Sequence, residues 1–201
     1  MRIANSVHQA HAWVISQITH DFKLMDVWAL PAEGERDEFD SLLEIVASFD
    51  PADAGSAVSS ALFWIRFRLG ELFGWDKEEK RSIPGAGEAS LSARLPEDLR
   101  GSASGPAISD AMRQAAGGFI PLYRTQEEWA AELSNATVHG VLHLAWVDQG
   151  EGRYRGELAI YVKPRGKLGE VYLRLIGPFR HLIVYPALMR QIDRRWNSRS
   201  R

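Results

Sequence analysis

TVHGVLHLAWV (137–147) and RYRGELAIYVKP (153–164), with DQGEG between them, are the stretches whose reading decides the fold. The first is β-branched and contains glycine, the second alternates apolar and polar residues, and the join is short and glycine-containing. Together they predict an antiparallel hairpin. Side chains along a strand point alternately to its two faces. His139, Val141, His143, Ala145 and Val147 share one face, and Val138, Gly140, Leu142, Leu144 and Trp146 the other. On the partner run, Leu158, Ile160 and Val162 stand against Arg155, Glu157, Ala159, Tyr161 and Lys163. The simplest assignment turns the aliphatic faces and Trp146 toward a covering helix. His139 and His143 then sit outside, bonded to Glu157 or Tyr161, or else they form a polar wall of a pocket.

Working outward, DFKLMDVWAL (21–30) reads as another strand that stops at Pro31. Its even positions put Phe22, Leu24, Asp26, Trp28 and Leu30 on one face. Phe39, Leu42, Leu43, Val46 and Phe49 predict a helix over 37–49, ended by Asp50-Pro51. A second helix is expected over 56–73, with Gly74 as its cap. Residues 1–20 read as irregular, and 77–118 as loop-rich or a flap, with LSARLPEDLR as its one helical piece. Residues 125–135 fit a capped helix (Thr125, Glu128) or an alternating strand (Trp129, Ala131, Leu133). A third strand is expected over 168–176. Gly177-Pro178 then opens a terminal helix, Phe179 to Asn197, with Leu182, Tyr185, Pro186, Met189, Ile192 and Trp196 on one side. Pro186 predicts a kink there, the alternative being an extended 179–185. Residues 197–201 form a tail.

With 201 residues, 45% of them hydrophobic, the chain can bury a core as one domain, 1–201. It has no cysteine, which excludes disulfides, thiolate metal sites and a cysteine nucleophile and suits a reducing cytoplasm. No secretory leader or membrane-spanning run is read from it. Charge is uneven, −7 over residues 1–76, −4 over 77–151 and +9 over 152–201. The bland reading, acidic and basic parts folding against each other with a solvated Arg-rich tail, is preferred to a nucleic-acid patch, because the tail lacks aromatic interleaving.

The order strand, two helices, antiparallel strands, long C-terminal helix resembles the helix-grip fold of START-type and birch-pollen-allergen-like proteins. More closely, DFKLMDVWALP (21–31), TVHGVLHLAWV (137–147) and GPFRHLIVYPALMRQI (177–192) resemble an uncharacterised bacterial family, domain of unknown function 2867. The resemblance implies an α+β protein whose curved antiparallel sheet grips the C-terminal helix and leaves a cavity between them. It also implies that 127–133 is a strand and that further strands lie within 80–124. It carries no residue roles across.

Three residues are candidates for chemistry. Asp26, on an apolar face, must either pair with a cation such as Arg174, Arg180 or His181, or serve as an acid or base. His143 and His181 are its possible partners. A metal shared by His139 and His143 is set aside, because four residues of strand span roughly 13 Å. No nucleophile motif or phosphate-cradling loop is present, and no cofactor is expected. The leading expectation is a non-catalytic module that binds a small hydrophobic or amphipathic ligand, lined by Trp28, Leu144, Trp146, Ile160, Tyr185 and Met189. The alternatives are a cyclase, dehydratase or hydrolase using Asp26 with His181 or His143, and an accessory partner of a separately encoded reductase. No nucleic-acid partner is expected, and oligomeric state is not read from the sequence.

Overall fold

Gly150, Glu151 and Gly152 all have positive φ (89°, 56° and 75°), and this run reverses the chain between the two decisive strands. The glycines adopt that geometry without the Cβ clash that Glu151 bears. Asp148 steadies the turn by accepting from the Gly150 amide at 2.7 Å. The computed structural model describes residues 1–48, 90–102, 119–134 and 137–199. In chain order these hold helices α1 (Asn5–Gln9) and α2 (Val14–Ile18), strand β1 (Lys23–Gly34), helix α3 (Phe39–Ala47), and strands β2 (Ile120–Arg124), β3 (Glu128–Ser134), β4 (Val138–Gly150) and β5 (Arg153–Pro164). Helix α4 (Gly166–Phe179), a π-helical turn (Arg180–Val184) and helix α5 (Tyr185–Ser198) follow.

The strands form one antiparallel sheet in the order β1-β5-β4-β3-β2. The protein is therefore α+β, with a five-stranded sheet and a long C-terminal helix. Residues 128–134 are strand, and β2 falls within 80–124, as the resemblance implied. The helix expected over 56–73 and most of 77–118 lie outside the described residues; Leu91–Arg94 and Glu97–Leu99 are short 3-10 turns.

Each face of the sheet carries its own core. The inner face packs Leu30, Leu142, Leu144, Trp146 and Leu158 under α3 and α5, which contribute Phe39, Leu42, Tyr185, Leu188, Ile192 and Trp196. The outer face packs Val27, Val141, Ala145, Ala159 and Tyr161 under Trp13, Ile15, Ile18, Leu91 and Leu95. Residues 1–20 thus hold two short helices that cover the sheet, where an irregular segment was expected. Residues 1–3 also pair along the free edge of β1, with Ile3 N donating to Val27 O at 2.9 Å and Arg2 opposite Trp28.

Two expectations about β1 need correction. The register slips between Leu24 and Asp26, so Met25 bulges. Because of that extra residue, Leu24 joins the outer core and Asp26, Trp28 and Leu30 face inward. Nor does the strand stop at Pro31. It runs on to Gly34 through a second irregularity between Ala29 and Glu33, where the missing proline amide breaks no regular ladder.

The chain after β5 also differs from expectation. Residues 168–176 are helical: Leu168, Val171, Tyr172, Leu175, Ile176 and Phe179 recur at a period near 3.6, and the β-branched content misdirects the reading. Pro178 lies inside α4 rather than at a helix start, and Leu182 is exposed rather than packed. Pro186 falls in the first turn of α5, where a missing amide is tolerated. The preceding π turn keeps the path helical through 179–185, so the extended alternative is not found.

Basic C-terminal residues meet acidic N-terminal ones. Arg199 pairs with Glu38 at 2.6 Å and lies over the Trp196 ring, Arg153 pairs with Glu33 at 3.1 Å, and Lys163 pairs with Asp21 at 2.9 Å.

Candidate functional site

The bulge at Met25 delivers Asp26 to the inner face, and the π turn lays Arg180, His181 and then Tyr185 over it. Asp26 is 2% exposed. Its Oδ2 accepts from the Tyr185 hydroxyl at 3.0 Å and lies 3.0 Å from Nη2 of Arg180. Its Oδ1 lies 3.3 Å from Nε2 of His181 and 3.7 Å from Nη2 of Arg2. An unpaired carboxylate at this depth would cost several kcal/mol, roughly 3–5 when a buried pair is broken. Burial pushes the Tyr185 phenol up, and the neighbouring Asp26 adds to that.

Of the side chains expected in a site, the structure brings together Asp26, His181, Trp28, Tyr185 and Ile160. The Trp28 ring lies 4.9 Å from that of Tyr185 and 5.9 Å from that of His181, and Ile160 is the register partner of Asp26. Met189, one helical turn beyond Tyr185, is half-buried beside the same core. Leu144 and Trp146 lie deeper, where Trp146 donates to Glu35 O at 2.9 Å and packs 5.7 Å from Trp196. Protein side chains fill that end. Polar chemistry and partial exposure coincide at the other end, around Trp28 and His181. Arg174 is not among the partners of Asp26. Arg2 is, and no pattern in the sequence points to it.

His143 is on the opposite face, so it cannot act with Asp26. It belongs to a buried array of three imidazole–carboxylate pairs: His143 Nε2 with Glu128 at 3.2 Å, His139 Nε2 with Glu132 at 2.9 Å, and His8 Nδ1 with Glu157 at 3.2 Å. His139 and His143 thus face outward as expected, but their partners are Glu132 and Glu128 rather than Glu157 or Tyr161. Ala130 is the register partner of His143 and Ser134 that of His139, so each carboxylate sits one diagonal step away on β3. Glu128 also accepts from Tyr123 at 2.8 Å and from the Val14 amide at 3.0 Å, tying α2 to the sheet. Ser90 and the Leu91 amide bond Glu132 in the same way.

Burial opposes the charge on Glu128, but the His143 hydrogen bond and attraction, with the other donors, hold its carboxyl below the usual range. Glu132 is lowered for like reasons. Burial pushes the His143 imidazole down despite Glu128, and pushes the Tyr161 phenol up to about 12. Among the described residues no group of three or more His, Cys, Asp or Glu could hold a metal. No described helix is long and apolar enough to cross a membrane.

A family model described as "Protein of unknown function (DUF2867)" matches residues 18–187. No curated protein and no solved structure matches the chain.

Proposed function

The chain belongs to the family of proteins of unknown function DUF2867, and on that footing we propose that it binds a small amphipathic ligand between the inner face of its sheet and the C-terminal helical segment. In this reading the fold is of helix-grip type, the ligand lies beside Trp28, Ile160 and Met189, and its polar end meets the Asp26 cluster. The observation that carries it is the gathering of Arg2, Arg180, His181 and Tyr185 around a buried Asp26, directly beside a half-buried aromatic wall. A few converging polar groups on an otherwise apolar surface are the usual make-up of a ligand site.

Native mass spectrometry of protein purified from cell extract tests this. The expected result is a small-molecule adduct that extracts into organic solvent and is lost in Trp28→Ala. Wild-type protein that carries no adduct and takes up no apolar dye would contradict it.

A second reading has one observation in its favour. Asp26 holds Nε2 of His181, whose side chain is 33% exposed, much as a carboxylate orients a catalytic imidazole. There His181 moves the proton, because Asp26 is already engaged by four side chains. Turnover of the extracted ligand by wild type and not by His181→Gln would establish this reading; recovery of the ligand unchanged would remove it.

A further inference from the structure

Resting on the ligand-binding reading above, the geometry points to the class of ligand: an amphipath with an anionic headgroup, carboxylate or phosphate, held by Arg2, Arg180 and His181 with its apolar tail along Trp28. Two independent features carry this.

The first is charge balance. Among the described residues, Asp26 is the one carboxylate paired with either Arg2 or Arg180. One negative charge therefore stands against two guanidiniums, with the His181 imidazole beside them. The Arg2 contact is long, at 3.7 Å, and its side chain is 59% exposed. That guanidinium can turn to a second acceptor without breaking a buried pair.

The second is hydrogen-bonding capacity. Nε of Arg180 and Nε1 of Trp28 are both buried and have no hydrogen-bond partner. Both are donors with no acceptor function. Buried donors left without an acceptor are uncommon in folded proteins and ask for an explanation. Trp28 lies two residues along the strand from Asp26 on the same face, and Arg180 contacts Asp26 directly, so the two idle donors belong to one neighbourhood. A cationic headgroup would satisfy neither donor and would add to the positive excess. A hydroxyl could accept from one but brings no charge. Carboxylate or phosphate oxygens do both, and charge-assisted bonds are the stronger kind.

Calorimetric titration with decanoate, decyl phosphate, decanol and decyltrimethylammonium, each below its micellar concentration, tests the assignment. At least one anion is expected to bind about ten-fold or more tightly than decanol, and the preferred anion separates a carboxylate ligand from a phosphate one. That advantage is expected to vanish in Arg180→Gln and to shrink several-fold in Arg2→Gln, with decanol affinity unchanged. If Arg180→Gln does not fold, the exposed Arg2 variant decides alone. Decanol binding as tightly as both anions, or a preference for the ammonium, would overturn the headgroup assignment while leaving the ligand site standing. Failure of all four probes to bind would overturn the site itself.

Discussion

The two faces of the sheet bury carboxylates in different ways. On the outer face Glu128, Glu132 and Glu157 each meet one imidazole, Glu157 with Arg155 also at 3.5 Å, and the members of all three imidazole pairs are less than a tenth exposed. On the inner face a single carboxylate, Asp26, is surrounded by two arginines, a histidine and a tyrosine, three of which reach solvent. These enclosed pairs hold elements together: Glu128 fastens α2, and His8 fastens α1 to β5. The Asp26 cluster instead sets one carboxylate against two arginines and opens partly to solvent. Burial of charge alone therefore does not distinguish the two faces; the partners and their exposure do.

The largest effect that could break this contrast is on stability. Glu128→Ala leaves His143, Tyr123 and the Val14 amide without their acceptor, and is expected to cost about 3–5 kcal/mol in urea denaturation. Asp26→Asn keeps an oxygen for Tyr185 and leaves its cations partly solvated, for a smaller loss of about 1–3 kcal/mol. A reversed order would undo the distinction between the faces.

Acid should act mainly through the outer face. The groups facing His143 are Glu128, Glu157, His8, Tyr161 and Trp13. Its folded pKa is lowered from 6.5, so the unfolded chain binds the proton more readily and stability falls as pH drops below that value. Glu128 and Glu132 are lowered from 4.5, so their contribution is present above that value and is lost below it. Denaturation midpoints should decline from pH 7 to 5 and fall more steeply below 4.5. His143→Gln should flatten the upper part. A midpoint constant down to pH 5 in the wild type would contradict the burial argument.

Smaller effects sharpen the inner side. Trp28→Phe removes an idle donor and should weaken amphipath binding roughly five-fold while changing stability by less than about 0.5 kcal/mol. Arg2→Gln, at an exposed pair, should leave the unfolding free energy within about 0.5 kcal/mol of wild type; a larger change would mean that Arg2 secures the edge of β1.

Much of this contrast was legible in residue alternation. The faces of β4 and β5 follow from period two, because a buried strand cannot slip by one residue without exposing its core. The outer pairs also left a trace: Glu128 and Glu132 are four apart on one strand, and His139 and His143 are four apart on its neighbour, so one diagonal offset satisfies both. That trace is readable only once 128–134 is known to be a strand, and Thr125 with Glu128 equally suggested a helix cap. The bulge at Met25 has no composition signal, yet it decides that Asp26 parts company with Leu24. His8 and Arg2 reach their partners across 149 and 24 residues of sequence, which no local pattern encodes. The π turn that sets Arg180, His181 and Tyr185 over Asp26 was hinted at only by Pro186.

The most direct test of the account is a titration of ¹⁵N-labelled protein with decanoate and decyl phosphate, observed at the tryptophan indole resonances. The Trp28 indole is expected to move into a hydrogen-bonded position while the Trp13 indole on the outer face stays still. Movement of Trp13 with Trp28 unchanged would place the ligand on the wrong side of the sheet and contradict it.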